Sequence, residues 1–164
     1  MWWDDHFGYV PPPTDPYLPH SGNQLAVWRY ANENVDASPD AGLESPGEFG
    51  AGPRESDSAY WIDGISAWLG CENGGPVDCT MYINGYVNGS STLVAHQIVT
   101  ISACPGGVGC HLQPVIFGSD FRGLDGIQIL AAVGEETVSW FMDDLVLAWS
   151  NNTCEAQSLR ASHQ

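Results

Sequence analysis

The chain contains no lysine. Its only basic side chains apart from five histidines are Arg29, Arg54, Arg122 and Arg160, set against 20 aspartates and glutamates for a formal charge of −16. That balance repels polyanions and makes nucleic acid and anionic membrane surfaces poor partners. No run of 18 apolar residues occurs, which excludes a membrane-spanning helix. The opening Met1-Trp2-Trp3-Asp4-Asp5 has neither the basic nor the apolar stretch of a secretory leader. A secreted form is therefore expected to be a mature or excised one.

Enzymatic signatures are missing as well. There is no G-x-S-x-G, and the glycine-rich CPGGVGC lacks the Lys-Ser/Thr of a phosphate loop. His6, His20, His96, His111 and His163 are scattered without an H-x-H or H-E-x-x-H spacing, and no EF-hand pattern is found. No long amphipathic helix is legible, because 19 glycines and 11 prolines interrupt the chain.

What is present points outside the cell. Cys71 and Cys79 bracket ENGGPVD, and Cys104 and Cys110 bracket PGGVG. Both intervals are turn-rich and short enough for loop-closing disulfides, whereas zinc would need closer cysteine or cysteine–histidine spacing. Cys154 is left over, and its partner is expected upstream of Met1. Asn88-Gly89-Ser90 and Asn151-Asn152-Thr153 are glycosylation sequons on Asn88 and Asn151. The acidity suits a secreted protein, at the cell surface or in the cell wall, working in acidic medium.

Between the breaks lie β-rich runs with aromatic and β-branched residues. They are LAVWRY (25–30), AYWIDGISAWL (59–69), TMYINGYV (80–87), TLVAHQIVTI (92–101), HLQPVIF (111–117), GIQILAAV (126–133) and TVSWFMDDLVLAW (137–149). The third and fourth predict a hairpin turned at Asn88-Gly89. The last two predict another across Gly134-Glu135-Glu136. Pro114 marks an edge or a bulge. In the last run, strict alternation puts Phe141, Asp143, Leu145, Leu147 and Trp149 on one face and Trp140, Met142, Asp144, Val146 and Ala148 on the other. Both faces are largely apolar, so a central strand is expected. The fold class read from this pattern is all-β, an antiparallel β-sandwich of jelly-roll, carbohydrate-binding-module-like type, as one domain over 1–164. Three stretches fit no strand: a Pro/aromatic-rich segment at 1–24, a long acidic loop at 31–58 and a flexible tail at 155–164.

Two groups of residues are candidates for a site. Trp2, Trp3, Tyr9, Tyr17 and Trp28 could stack on sugar rings, with Asp4, Asp5, His6 and Asn23 binding hydroxyls; equally, these aromatics could fill the core. Asp143 and Asp144 sit within an apolar strand, where carboxylates must be paired, hydrogen-bonded or metal-bound. A structural calcium is one expectation and capping of loop amides is the other. Carboxylate pairs for glycoside hydrolysis are also available at Asp4/Asp5, Glu44/Glu48 and Asp143/Asp144, but 20 acidic residues supply such pairs by chance.

The segments WWDDHFGYVPPPTDPYLPHS, LAVW, SPDAGLESPGEFGAGPR, the two cysteine loops, SDFRGLDGIQILA and FMDDLVLAWSNNTC together resemble a fungal extracellular domain of uncharacterised function. That domain is found at the C-terminal end of Ser/Thr-rich cell-surface or secreted proteins. The resemblance implies a galactose-binding-like sandwich displayed on a stalk and supplies no catalytic residues. It also implies an earlier Phe-Asp-Asp-Leu-Pro-like strand in place of which this chain starts later. The expected function is an extracellular binding or adhesion module for a glycan or cell-wall polysaccharide. The rivals are a carbohydrate-active hydrolase or lyase, and a structural, self-assembling surface protein.

Overall fold

The computed structural model describes residues 1–10, 16–30, 46–89 and 91–162. Two antiparallel sheets carry the fold. One has the order β1 (Trp2–Trp3), β5 (Gly47–Gly50), β11 (Gly126–Val133), β7 (Cys79–Val87), β8 (Thr92–Ile101), with β12 (Glu136–Thr137) also paired to β11. The other runs β10 (Gln113–Ile116), β6 (Ile62–Cys71), β13 (Trp140–Trp149), β4 (Leu25–Trp28), β2 (Phe7–Val10). A small parallel pair, β3 (Tyr17–Leu18) with β9 (Cys110–His111), stands apart from both. The chain is an antiparallel β-sandwich.

Period-2 patterning explains the sandwich. Along β7 the buried residues are Cys79, Met81, Ile83 and Gly85, and along β11 they are Ile127, Ile129 and Ala131 after a buried Gly126 at its start. These meet Trp28, Ile62, Leu69, Trp140 and Met142 of the opposite sheet in one core. Each large apolar side chain buried there contributes about 1.5–3 kcal/mol. The core tolerates two tryptophans at Trp28 and Trp140 because Gly47 faces them. A Cβ at that glycine would lie 2.7 Å from both rings.

Both disulfides form, Cys71–Cys79 and Cys104–Cys110. The first does more than close a loop, since it links the end of β6 in one sheet to the start of β7 in the other. The second stiffens the turn that presents β9. Together β3 and β9 cover the outer face of the five-stranded sheet, where Tyr17, Cys110 and Leu112 pack on Leu25, Val27 and Phe141.

The hairpin of β7 and β8 turns where expected, with Asn88 (φ 58°) and Gly89 (φ 68°) both in the left-handed region. Pro114 lies on β10, an edge strand. The second expected hairpin is not what its pattern suggested. Of the chain after the Gly134 turn, only Glu136–Thr137 pairs with β11, after which Val138 and Ser139 carry the chain across to the other sheet. There β13 becomes the central strand, between β6 and β4. The strands Gly126–Val133 and Trp140–Trp149 therefore face one another through the core.

The alternation expected along β13 also breaks. The register against β6 shifts between Asp143 and Val146, and Asp144 takes a positive φ of 46°. This bulge exchanges the faces. Trp140 and Met142 point into the core before it, and Leu145, Leu147 and Trp149 pack against the core after it.

Residues 1–24 are not strandless, since they supply β1, β2 and β3; residues 11–15 lie outside the described residues. Of the expected loop at 31–58, residues 31–45 also lie outside them, while 46–58 includes β5 and a 3-10 turn at Gly52–Arg54. Of the expected tail, residues 163–164 lie outside the described residues, and most of the rest belongs to helix α1 (Cys154–Ala161). Thr153 caps it by accepting from the Ala156 amide at 3.3 Å, and Arg160 pins it by donating to the carbonyls of Ala59 and Asn151.

Candidate functional site

Strand β1 holds two consecutive tryptophans, and a strand turns successive side chains to opposite sides. Trp3 pairs with Phe49, whose side chain is in the core, and Trp2 pairs with Gly50. Trp3 therefore lies toward the inter-sheet space, with its ring 5.0 Å from Phe7 and 5.2 Å from Phe49. Those contacts fix the indole, yet 37% of Trp3 stays exposed.

Across from it, β2 is the edge of the five-stranded sheet. Tyr9 stands opposite Ala26, and Ala26 opposite Met142, so the three share the inward face. Met142 is covered by the core. Tyr9, at the margin, is 70% exposed. The result is a shallow groove of about 230 Å³ along the open margin of the sandwich. Trp3 and Tyr9 supply aromatic walls, Ala26 and Met142 the floor, and Gln24, Asp143 and Asp144 the polar rim.

Asp143 is the last residue of β13 in register with β6 before the bulge, and Asp144 lies in the bulge. Asp143 Oδ1 accepts from the Asp144 amide at 2.8 Å, and its Oδ2 accepts from the Ser21 amide at 3.0 Å. Asp144 Oδ1 accepts from the Ser21 hydroxyl at 2.5 Å, and its Oδ2 lies 2.7 Å from His20 Nδ1. The hydrogen bonds from Ser21 and then His20 hold the Asp144 carboxyl below the ordinary carboxylate range. The His20 ring is itself stacked on Trp68. Of the two expectations for this pair, the hydrogen-bonded one matches these contacts. Among the described residues no cluster of three or more His, Cys, Asp or Glu is arranged to hold a metal.

The other candidates fall elsewhere. Trp28 is 1% exposed and stacked with Trp140 in the core, so it offers no face to a sugar. Tyr17, on β3, is 1% exposed, its ring lying on Gly70, where a Cβ would approach it to 2.7 Å. Its hydroxyl donates to the Cys71 carbonyl at 3.0 Å and accepts from the Cys71 amide at 3.1 Å. Burial pushes its pKa up, partly opposed by that backbone bond. Asp4 braces a turn, its Oδ2 accepting from the Glu48 amide at 2.6 Å and its Oδ1 from the His6 amide at 2.8 Å. Asp5 and His6 are exposed beside that turn, and Trp2 lines a separate cavity. Asn88 is exposed on the hairpin turn, while Asn151 is half-buried and donates to Ser58 Oγ at 3.3 Å. Cys154 is a free, exposed thiol.

Three contributors to the rim carry no signal in the sequence. Gln24, His20 and Ser21 sit in a polar stretch more than 100 residues from the carboxylates they border or bind. Only the packing of the 16–24 segment over β13 brings them together.

A family model described as "Domain of unknown function (DUF7371)" matches residues 1–160. No curated protein and no solved structure matches the chain.

Proposed function

The chain belongs to the DUF7371 family, and for this member we propose an extracellular carbohydrate-binding or adhesion module whose glycan site is the groove between Trp3 and Tyr9. One observation carries this reading. Two partly exposed aromatics, held on opposite sheets, converge with the Asp143–Asp144 carboxylates on a single shallow groove. Aromatic faces meet the CH faces of sugars, and carboxylates with a side-chain amide accept and donate to hydroxyls. A groove this open suits part of a longer glycan rather than an enclosed small molecule.

Two disulfides support an oxidising compartment, and among the described residues no helix is long and apolar enough to cross a membrane. Display at a fungal cell surface or in its wall fits the same reading. A hydrolase is supported less well. A general acid needs a raised pKa, and Asp144 is shifted the other way. Calcium at Asp143 and Asp144 is a separate proposal, because ligation would compete with the contacts from Ser21 and His20.

The test is a glycan array together with polysaccharide pull-downs, run for the native chain and for Trp3→Ala and Tyr9→Ala. Binding to at least one glycan class, weakened in both variants, is the expected result. No binding to any glycan, or binding indifferent to both substitutions, overturns the proposal.

A further inference from the structure

The strongest feature outside the groove is a cavity of about 290 Å³ on the other side of β1. Its walls are Trp2, Tyr60 and Trp149, with Ala51 and Pro53 between them and Arg54 at the rim. The aromatic walls are rigidly placed. Trp2 rests on Gly52, whose φ is +57° and where a Cβ would come within 2.4 Å of the ring, so only glycine lets the indole lie there. Trp149 is held by the Arg160 guanidinium, 4.7 Å from its ring centre, and Arg160 is in turn bonded to two backbone carbonyls. Tyr60 is buried at 8% exposure.

The charge at the rim is the informative part. The chain has 20 acidic and four arginine side chains. Among the described residues only Arg122 of these arginines has an ion pair, 4.0 Å from Asp63, while Arg160 is engaged by two backbone carbonyls and the Trp149 ring. Among the described residues, no carboxylate comes within ion-pair distance of Arg54, whose guanidinium instead sits 5.0 Å from the centre of the Tyr60 ring. A planar guanidinium at the mouth of an aromatic cavity, with no carboxylate on it among the described residues, suits a carboxylate borne on a ring.

We propose that this cavity binds a small ring-bearing monocarboxylate, its ring between Trp2, Tyr60 and Trp149 and its carboxylate on Arg54. The volume sits at the lower end of ligand pockets, which run from about 300 to 1,000 Å³, and therefore admits about one ring. The overall charge of −16 repels polyanions from a distance, so a single carboxylate is accepted where a polyanionic chain is not. Two sources share this chemistry, a hexuronic acid and an aryl carboxylate. The proposal stands independently of the glycan groove.

Glucuronate and benzoate, with methyl glucoside and benzyl alcohol as their neutral counterparts, are titrated into the full chain. Nitrogen–proton spectra follow the seven tryptophan indoles. The expected result is saturable binding of one or both acids at millimolar concentration, with shifts concentrated on the Trp2 and Trp149 indoles. Which acid binds names the source. Arg54 is exposed, so Arg54→Gln keeps the fold, verified in the same spectra, and weakens the acid by at least about tenfold while leaving its neutral counterpart unchanged. Binding of neither acid, equal binding by Arg54→Gln, or shifts centred on Trp3 overturns the assignment.

Discussion

His20 lies flat on Trp68, ring centroids 3.5 Å apart and planes 14° apart, with its Nδ1 2.7 Å from Asp144 Oδ2. One imidazole thus ties the 16–24 segment both to β6 and to the bulge of β13. Truncating it loosens the groove's acidic rim without touching its aromatic walls. His20→Ala should weaken glycan binding while lowering stability by about 1 kcal/mol. Parallel melting curves and pull-downs separate the two effects; unchanged affinity would show that the rim needs no such brace.

The pH dependence of that brace has a defined sign. Hydrogen bonds from Ser21 and His20 lower the Asp144 pKa in the folded chain from an ordinary 3.8. A group with a depressed native pKa contributes its full stabilisation above the unfolded value and loses it as pH falls through the native one. The stability difference between the native chain and Asp144→Asn should therefore be constant from neutral pH to about pH 5. It should then shrink on further acidification. Denaturant curves at a series of pH values measure it, and a difference that grows toward acid would refute the assignment.

Calcium and the Ser21–His20 contacts compete for the same oxygens. If calcium is a ligand of Asp143 and Asp144, added calcium raises the melting temperature, EDTA reverses the rise, and Asp143→Asn abolishes it. A melting temperature indifferent to calcium removes the metal from the account.

Tyr17 and Trp28 separate core from platform. Trp28→Ala should cost about 3–5 kcal/mol. Tyr17→Phe should cost about 1–3 kcal/mol, since the Cys71 amide and carbonyl lose their shared hydroxyl. Tyr9→Ala, at an exposed edge, should cost at most about 0.5 kcal/mol yet weaken glycan binding by about tenfold. Comparable stability losses for all three would place Tyr9 in the core and end its role as a platform.

The cysteines give a direct count. Of five cysteines, only Cys154 is free and exposed, so an unreduced sample should titrate with one thiol per chain. Replacing Cys71 and Cys79 by serine should destabilise by about 2–4 kcal/mol, while Cys154→Ser should be neutral. More than one reactive thiol contradicts the pairing.

The sandwich, both disulfides and the Asn88-Gly89 turn follow from local rules, and local rules are legible in order along a chain. Alternation decides which strand residues are buried, Gly/Pro loops bring nearby cysteines together, and left-handed turns select Asn and Gly. Asp143 and Asp144 stood out for the same local reason, as charges inside an apolar run. The aromatic residues did not sort themselves. Trp3, Tyr9, Trp28 and Tyr17 have the same character in sequence, and only strand order decides their fates. Tyr9 is exposed because β2 is an edge, Trp28 is buried because β4 lies between β2 and β13, and Tyr17 is buried because β3 packs on the outer face of the five-stranded sheet. The bulge at Asp144 is likewise set by pairing with β6, and no period in the sequence reports it. Composition and periodicity determined that this chain forms a disulfide-bonded β-sandwich. Only tertiary structure decided where that sandwich is open, because an edge and a bulge are properties of a strand's neighbours, which lie far away in the sequence.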